Sequence, residues 1–179
     1  MFREKGWEMK PILFSDEMVR SILDGRKTQT RRPVKNYEFY SCLTGDCPHD
    51  HKDQCAKDLS EQCPFGRVGD RLWVREAFTK LVPGEHIIYR ANYKDPNGIK
   101  WSSSSTMSEG QSRLTLRIKS VRVERLWKIR SDDAIKEGFS DPSPLDAFFD
   151  CWNSIYGKGP FRWGNDPFVW VIDFEKESV

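Results

Sequence analysis

The chain has 179 residues, 37% of them hydrophobic, with 29 Lys and Arg against 27 Asp and Glu for a formal charge of +2. That length fits one domain. No apolar run approaches the ~20 residues of a membrane-spanning helix, and so small a net charge does not by itself mark a nucleic-acid binder.

Residues 1–10 read as an N-terminal extension. They lack the apolar stretch and small-residue cleavage site of a signal peptide, and Met9 is an alternative start. A single domain is expected over residues 11–177. "ILFSDEMVRSILDG" reads as a short strand and then a helix, with Ser15 as N-cap and Asp16 and Glu17 at the positive end of the helix dipole. Met18, Val19, Ile22 and Leu23 form one apolar stripe, and Gly25 takes the left-handed turn that ends the helix. The basic stretch "RKTQTRRPVK" leaves that helix terminus, with five cations against Asp24 between residues 24 and 35.

Residues 36–64 are polar, weakly periodic and rich in cysteine, and are read as an insertion. Cys42, Cys47, Cys55 and Cys63, with His49 and His51 among them, supply the ligand types of a tetrahedral structural zinc. Their spacing contains no C-x2-C knuckle, so reduced, unliganded thiols in a loose loop are the competing reading. Five cysteines without a secretion signal point to a reduced, cytoplasmic chain rather than a disulfide framework. Cys151 is assigned to core packing.

Strands follow at "RVGDRLWVREAF" and "HIIYRANY", then a long loop over residues 94–112. "RLTLRIKSVRVERL" alternates, but its apolar parity flips between Ile118 and Val121, which calls for a bulge or tight bend. It also holds most of a second local excess, six cations against Glu124 from Arg113 to Lys128. Because the balancing acids include Asp166, Asp173, Glu175 and Glu177, one basic face is expected, with solvated strand faces as the alternative. "SDDAIKEGF" reads as a short helix with Ser131 as N-cap and Gly138 as its stop. A longer helix begins at Pro144, with Leu145, Phe148, Phe149, Trp152 and Ile155 as its buried stripe. "DPFVWVIDFEKE" closes the chain as a strand buried on both faces near its middle. Strands interleaved with short helices give an α+β fold with a mixed, closed sheet.

"ILDGRKTQTRR", "GDRLWVRE", "AIKEG" and "FVWVIDF", in this order, resemble the ASCH domain family. The likeness is nearest to its larger phage- and prophage-associated branch and spans roughly residues 11–175. The resemblance implies a PUA-like closed mixed/antiparallel β-barrel with short packed helices. It also implies function: small ASCH proteins include amidohydrolases that deacetylate N4-acetylcytidine with a lysine, a threonine and a glutamate. On this chain those residues are Lys27, Thr30 and Glu137. The alternatives are a non-catalytic RNA-binding PUA-like module and a ribonuclease on the same scaffold. The partner is a modified nucleoside or RNA and not a membrane, and the chemistry requires no cofactor beyond an optional structural zinc.

A threonine hydroxyl needs an adjacent base to become a nucleophile. Lysine can serve only if its pKa falls well below the usual ~10.4, and burial and neighbouring cations both push it that way. Glu137 would hold the lysine or shuttle its proton. Lys27 and Thr30 are an odd number of residues apart and so face opposite sides of a regular strand. For them to converge, Lys27 must lie in the irregular exit from Gly25, or a bulge must intervene. Arg26, Arg31 and Arg32 are assigned to the nucleotide or RNA, with Trp73, Arg75 and Glu76 of "LWVRE" as further pocket residues. Trp73, Trp101 and Trp163 are either stacking surfaces for a base or packing residues.

Overall fold

The computed structural model describes residues 9–35, 61–80, 86–93, 98–140 and 142–177. Strand β1 (Lys10–Leu13) leads into helix α1 (Asp16–Leu23). As expected, the Ser15 hydroxyl accepts the Met18 N–H at 3.4 Å, and Gly25, at φ 74°, ends the helix. Val19 and Ile22 are buried, with Met18 and Leu23 packed beside them. Strand β2 (Gln29–Pro33) follows. The remaining elements are β3 (Arg71–Arg75), β4 (Phe78–Lys80), β5 (Ile87–Tyr89), β6 (Thr115–Arg125), α2 (Ser131–Lys136), α3 (Pro144–Tyr156) and β7 (Phe168–Lys176).

Five strands form one sheet in the order β1-β3-β6-β7-β2, parallel between β1 and β3 and antiparallel elsewhere, while β4 and β5 pair separately. The α+β class holds. A closed barrel is not formed among the described residues, since β1 and β2 remain the edges of the order. The two edges nevertheless come close, because Arg32 of β2 donates to the Leu13 carbonyl of β1 at 2.9 Å. The parity flip in β6 is a register shift between Ile118 and Ser120, and such a bulge bends the strand and increases its twist.

Strand β7 separates two apolar cores, which is why Phe168 to Ile172 are all buried. Trp170, Ile172 and Phe174 join Ile12, Phe14 and Val19 on one face, whereas Val169 and Val171 meet Phe148 and Trp152 on the other. Helix α3 lies on the second face with a narrower stripe than expected. Phe148 and Trp152 are buried, but Phe149 and Ile155 are exposed. The loop expected over residues 94–112 contains short 3-10 turns at Ser104–Thr106 and Glu109–Gln111, and it buries Met107 against Trp73 and Phe78.

Helix α2 starts at Ser131, the residue expected as its cap, so the cap itself lies one residue earlier. Arg130 is the N-cap, and its N–H donates to Asp133 Oδ2 at 3.2 Å. Its C-terminal end fixes the site. Gly138 has φ 97°, and a Cβ there would lie 2.9 Å from Ser21 Cβ and 3.1 Å from Lys27 Cβ. Only glycine tolerates both that backbone and that approach. The Thr28 N–H donates to Lys136 O at 2.8 Å, and Ser21 Oγ donates to Gly138 O at 3.2 Å, so α2 ends docked on the link between α1 and β2. Among the described residues, no helix is long and apolar enough to cross a membrane.

Candidate functional site

The link from Gly25 to Thr28 is irregular, and Lys27 lies within it, ahead of the regular strand. The odd spacing to Thr30 therefore imposes no opposition of faces. Lys27 is 3% exposed, and its ammonium donates to Glu137 Oε2 at 2.9 Å, to Glu137 O at 2.7 Å and to Gln29 O at 2.8 Å. Those three bonds match the three donors of a charged lysine. Burial is the largest influence on Lys27 and drives it below the usual lysine range; Glu137 opposes that shift and Arg32 adds to it.

Glu137 is itself buried and shared. Its second oxygen accepts from Arg31 at 3.2 Å. Arg31, with a side chain at 0% exposure, also meets Glu124 at 2.8 Å and Asp133 at 3.3 Å. Three carboxylates thus surround one guanidinium, and this network holds the catalytic-candidate glutamate against α2 and β6. Arg31, assigned to the nucleotide or RNA, lines the cavity described below, with its guanidinium committed to these three carboxylates. Arg26 is on the surface, paired with Asp24 at 3.0 Å.

Thr30 is fully buried, and its hydroxyl accepts from Arg32 at 2.7 Å. Alternation along β2 puts Thr30 and Arg32 on one face and Gln29 and Arg31 on the other. Lys27 makes no hydrogen bond to Thr30 in this arrangement, because its donors are committed elsewhere. The ring of Phe14 lies against both cations, with its centroid 5.5 Å from the Lys27 nitrogen and 5.2 Å from the Arg32 guanidinium carbon.

All four groups, Lys27, Thr30, Arg32 and Glu137, line one cavity of about 1020 Å³. Residues of β1, β2 and α3 contribute to its lining. Its volume sits at the upper end of the ~300–1,000 Å³ typical of small-molecule sites. Phe14, Phe139, Phe148, Trp152, Tyr156 and Trp170 give it aromatic walls. Cys151 lines it too, so this cysteine is a wall residue rather than core packing. Burial pushes its thiol pKa up, with Lys27 pulling the other way. Sequence reasoning missed Phe14, Cys151 and Tyr156. The signal was present in α3, where Phe148, Cys151, Trp152 and Tyr156 recur at helical spacing on one side.

The residues of "LWVRE" are not on this cavity's wall. Trp73 is buried under Phe78 and Met107, with the Arg75 guanidinium 4.7 Å above its ring. Glu76 accepts two bonds from Arg113, both at 2.8 Å. Trp101 packs on Tyr93 with centroids 5.5 Å apart, and Trp163 meets Phe149 at 5.2 Å. Cys42, Cys47, Cys55, His49 and His51 lie outside the described residues. Cys63 is a free, buried thiol in the first core. Among the described residues, no cluster of His, Cys, Asp and Glu suits a metal ion.

The expected basic face is also neutralised from within. Antiparallel pairing of β6 with β7 brings the acids beside the cations, joining Arg117 to Glu177 at 2.7 Å, Lys119 to Glu175 at 3.3 Å and Arg122 to Asp173 at 2.7 Å.

No protein-family model matches the chain, and no curated protein matches it. Among solved structures, it is similar to an ASCH domain from Lactobacillus crispatus JV V101, with a TM-score of 0.51, 15% identity, and coverage of 98% of this chain and 86% of that one. Protein EF3133 from Enterococcus faecalis V583, of family DUF984, matches with a TM-score of 0.48 and 14% identity over 94% of this chain and 80% of that one. At these identities the first match establishes the fold, which is that of an ASCH domain.

Proposed function

We propose that the cavity is an amidohydrolase site that removes the acyl group from N4-acetylcytidine or a related modified nucleoside. The observation that carries this reading is the buried 2.9 Å contact between Lys27 and Glu137, on the same cavity wall as the Thr30 hydroxyl. Its residue types are those that the "GRKTQTRR" and "AIKEG" resemblance assigns to the reaction. The aromatic walls suit a pyrimidine ring, and the volume admits a nucleoside.

In this reading Thr30 attacks the acyl carbonyl, Lys27 takes its proton, and Glu137 helps deliver that proton to the departing N4 amine. Lys27 must first give up one of its three acceptors and be neutral, and its lowered pKa favours the neutral form. A nucleoside- or RNA-binding module without chemistry is the second reading. The observation favouring it is that all three Lys27 N–H groups are already satisfied, as in a structural ion pair. The test is release of cytidine from N4-acetylcytidine. Lys27→Ala, Thr30→Ala and Glu137→Ala should each lower the rate by at least ~100-fold, the scale for loss of a general base or nucleophile. Thr30→Ser should keep part of it. Full activity in Lys27→Ala ends this mechanism, and an inactive wild type returns the cavity to the binding reading.

A further inference from the structure

We propose that Arg32 is the oxyanion-binding residue of this site, taking the charge that forms on the acyl oxygen when Thr30 attacks. The inference rests on the acyl-transfer reading above and adds a catalytic residue to it.

The first observation is contact with the reacting atom. Arg32 NH1 donates to Thr30 Oγ1 at 2.7 Å, because residues two apart in β2 share a face. The second is the lack of a counter-ion. On the cavity wall Lys27 is paired with Glu137, Arg31 with three carboxylates and Arg90 with Asp16. Among the described residues no carboxylate pairs with Arg32. Its acceptors are Thr30 Oγ1, the Arg31 carbonyl at 3.0 Å and the Leu13 carbonyl at 2.9 Å, all neutral oxygens. A guanidinium has five donors in a fixed fork, so two remain available. The third observation is rigidity. The two carbonyls come from opposite edges of the sheet, and the Phe14 ring supports the guanidinium from one side. Arg32 is half-buried with no charged partner, so an anion formed beside it gains a charge-assisted hydrogen bond that its neutral acceptors do not supply. Burial pulls Arg32 below the usual arginine range.

The position distinguishes between anions. A group that touches Oγ1 can bind only what lies within a bond or two of the carbon under attack. The acyl oxygen is attached to that same carbon. A sugar phosphate would sit at the opposite end of the pyrimidine ring from an N4 acyl group, away from Arg32. As Thr30 Oγ1 bonds to the acyl carbon, its proton passes to neutral Lys27 and the carbonyl electron pair moves onto the acyl oxygen, facing Arg32. Re-forming that carbonyl breaks the C–N4 bond, and N4 takes a proton to leave as cytidine. The acyl-Thr30 ester is then attacked by water through the same oxyanion position, releasing acetate and restoring the hydroxyl.

The experiment compares wild type, Arg32→Ala and Arg32→Lys on N4-acetylcytidine, with acetate binding measured separately by ligand-observed NMR. Removing one oxyanion donor typically lowers kcat by ~10²–10³. That loss is expected in Arg32→Ala, with KM nearly unchanged and partial rescue by added guanidinium ion. Arg32→Lys keeps the charge but not the fork, so a loss of ~10-fold or more is expected on the same scale; this variant carries the test if Arg32→Ala does not fold. Acetate, which places a carboxylate where the oxyanion forms, should bind wild type more tightly than either variant. An active wild type with either folded variant at full rate, or with KM alone raised, overturns this proposal and leaves the amidohydrolase reading standing. An inactive wild type removes the reading itself, and Arg32 with it.

Discussion

Lys27 and Glu137 meet twice, once through the Glu137 carboxylate at 2.9 Å and once through its backbone carbonyl at 2.7 Å. The lysine is thereby tied both to a charge and to the end of α2. Removing one partner of a buried pair leaves the other charge without compensation, typically at a cost of ~3–5 kcal/mol. Arg31 still touches Glu137, so Lys27→Met should fall near the lower end of that range. Glu137→Gln should destabilise as well, and the double variant by less than the sum of the two, because contacting residues couple. Urea unfolding of the four proteins measures this. Additive losses would show that the pair contributes no joint term.

The lowered pKa of Lys27 sets the pH dependence. A general base must be neutral, and the neutral fraction of lysine grows as pH rises. kcat/KM should therefore climb with pH and level off at a midpoint below the ordinary ~10.4. Stability carries the same sign: between the native midpoint and ~10.4 the unfolded chain binds more protons at this position, so the Lys27 contribution improves as pH rises. A rate profile flat from pH 5 to 10 would contradict a titrating base.

Gly138 makes the Lys27–Glu137 approach possible. Gly138→Ala would place a Cβ 2.9 Å from Ser21 Cβ and force a non-glycine residue to φ 97°. Strain of this kind is roughly 1–3 kcal/mol. Because Glu137 is the neighbouring residue, relaxation should move its carboxylate and lower activity more than stability alone explains. Thermal unfolding and turnover of Gly138→Ala provide the comparison, and wild-type values in both would contradict the steric account.

What the sequence made legible follows from the range of each interaction. The Ser15 cap, the Gly25 stop, the β6 bulge and the doubly buried β7 depend on local pattern, and each appears in the structure. Lys27, Thr30 and Glu137 were reachable only through motif resemblance, since periodicity alone set the first two on opposite faces. The burial of Arg31 was not legible because "QTRRP" is polar throughout, yet the strand is mostly buried. Its burial depends on Glu124 and Glu137, 93 and 106 residues away, and no window of sequence contains that pairing. The helix α3 stripe was misread for a smaller reason. Phe149 and Ile155 fit a 3.6-residue period, but the face that meets β7 is narrower than that pattern implies.

The two local charge excesses have different fates, and RNA binding separates them. Along β6, Arg117, Lys119 and Arg122 are already opposed by Glu177, Glu175 and Asp173. Each phosphate neutralised by a free cation on single-stranded RNA adds about 0.7 to the slope of log affinity against log salt, but a cation paired within the protein releases fewer counterions. Arg117→Ala with Lys119→Ala should therefore leave both the affinity for an unstructured RNA and its salt slope nearly unchanged. Arg31→Ala should lower stability by several kcal/mol, since Glu124, Asp133 and Glu137 lose the cation they share. Any loss of RNA binding in that variant should track unfolding rather than a missing phosphate contact. Fluorescence anisotropy at two salt concentrations, run beside urea unfolding of each variant, distinguishes the cases. A folded Arg31→Ala protein with sharply weakened RNA affinity, or a slope that falls in the β6 variant, would place the RNA on these strands after all.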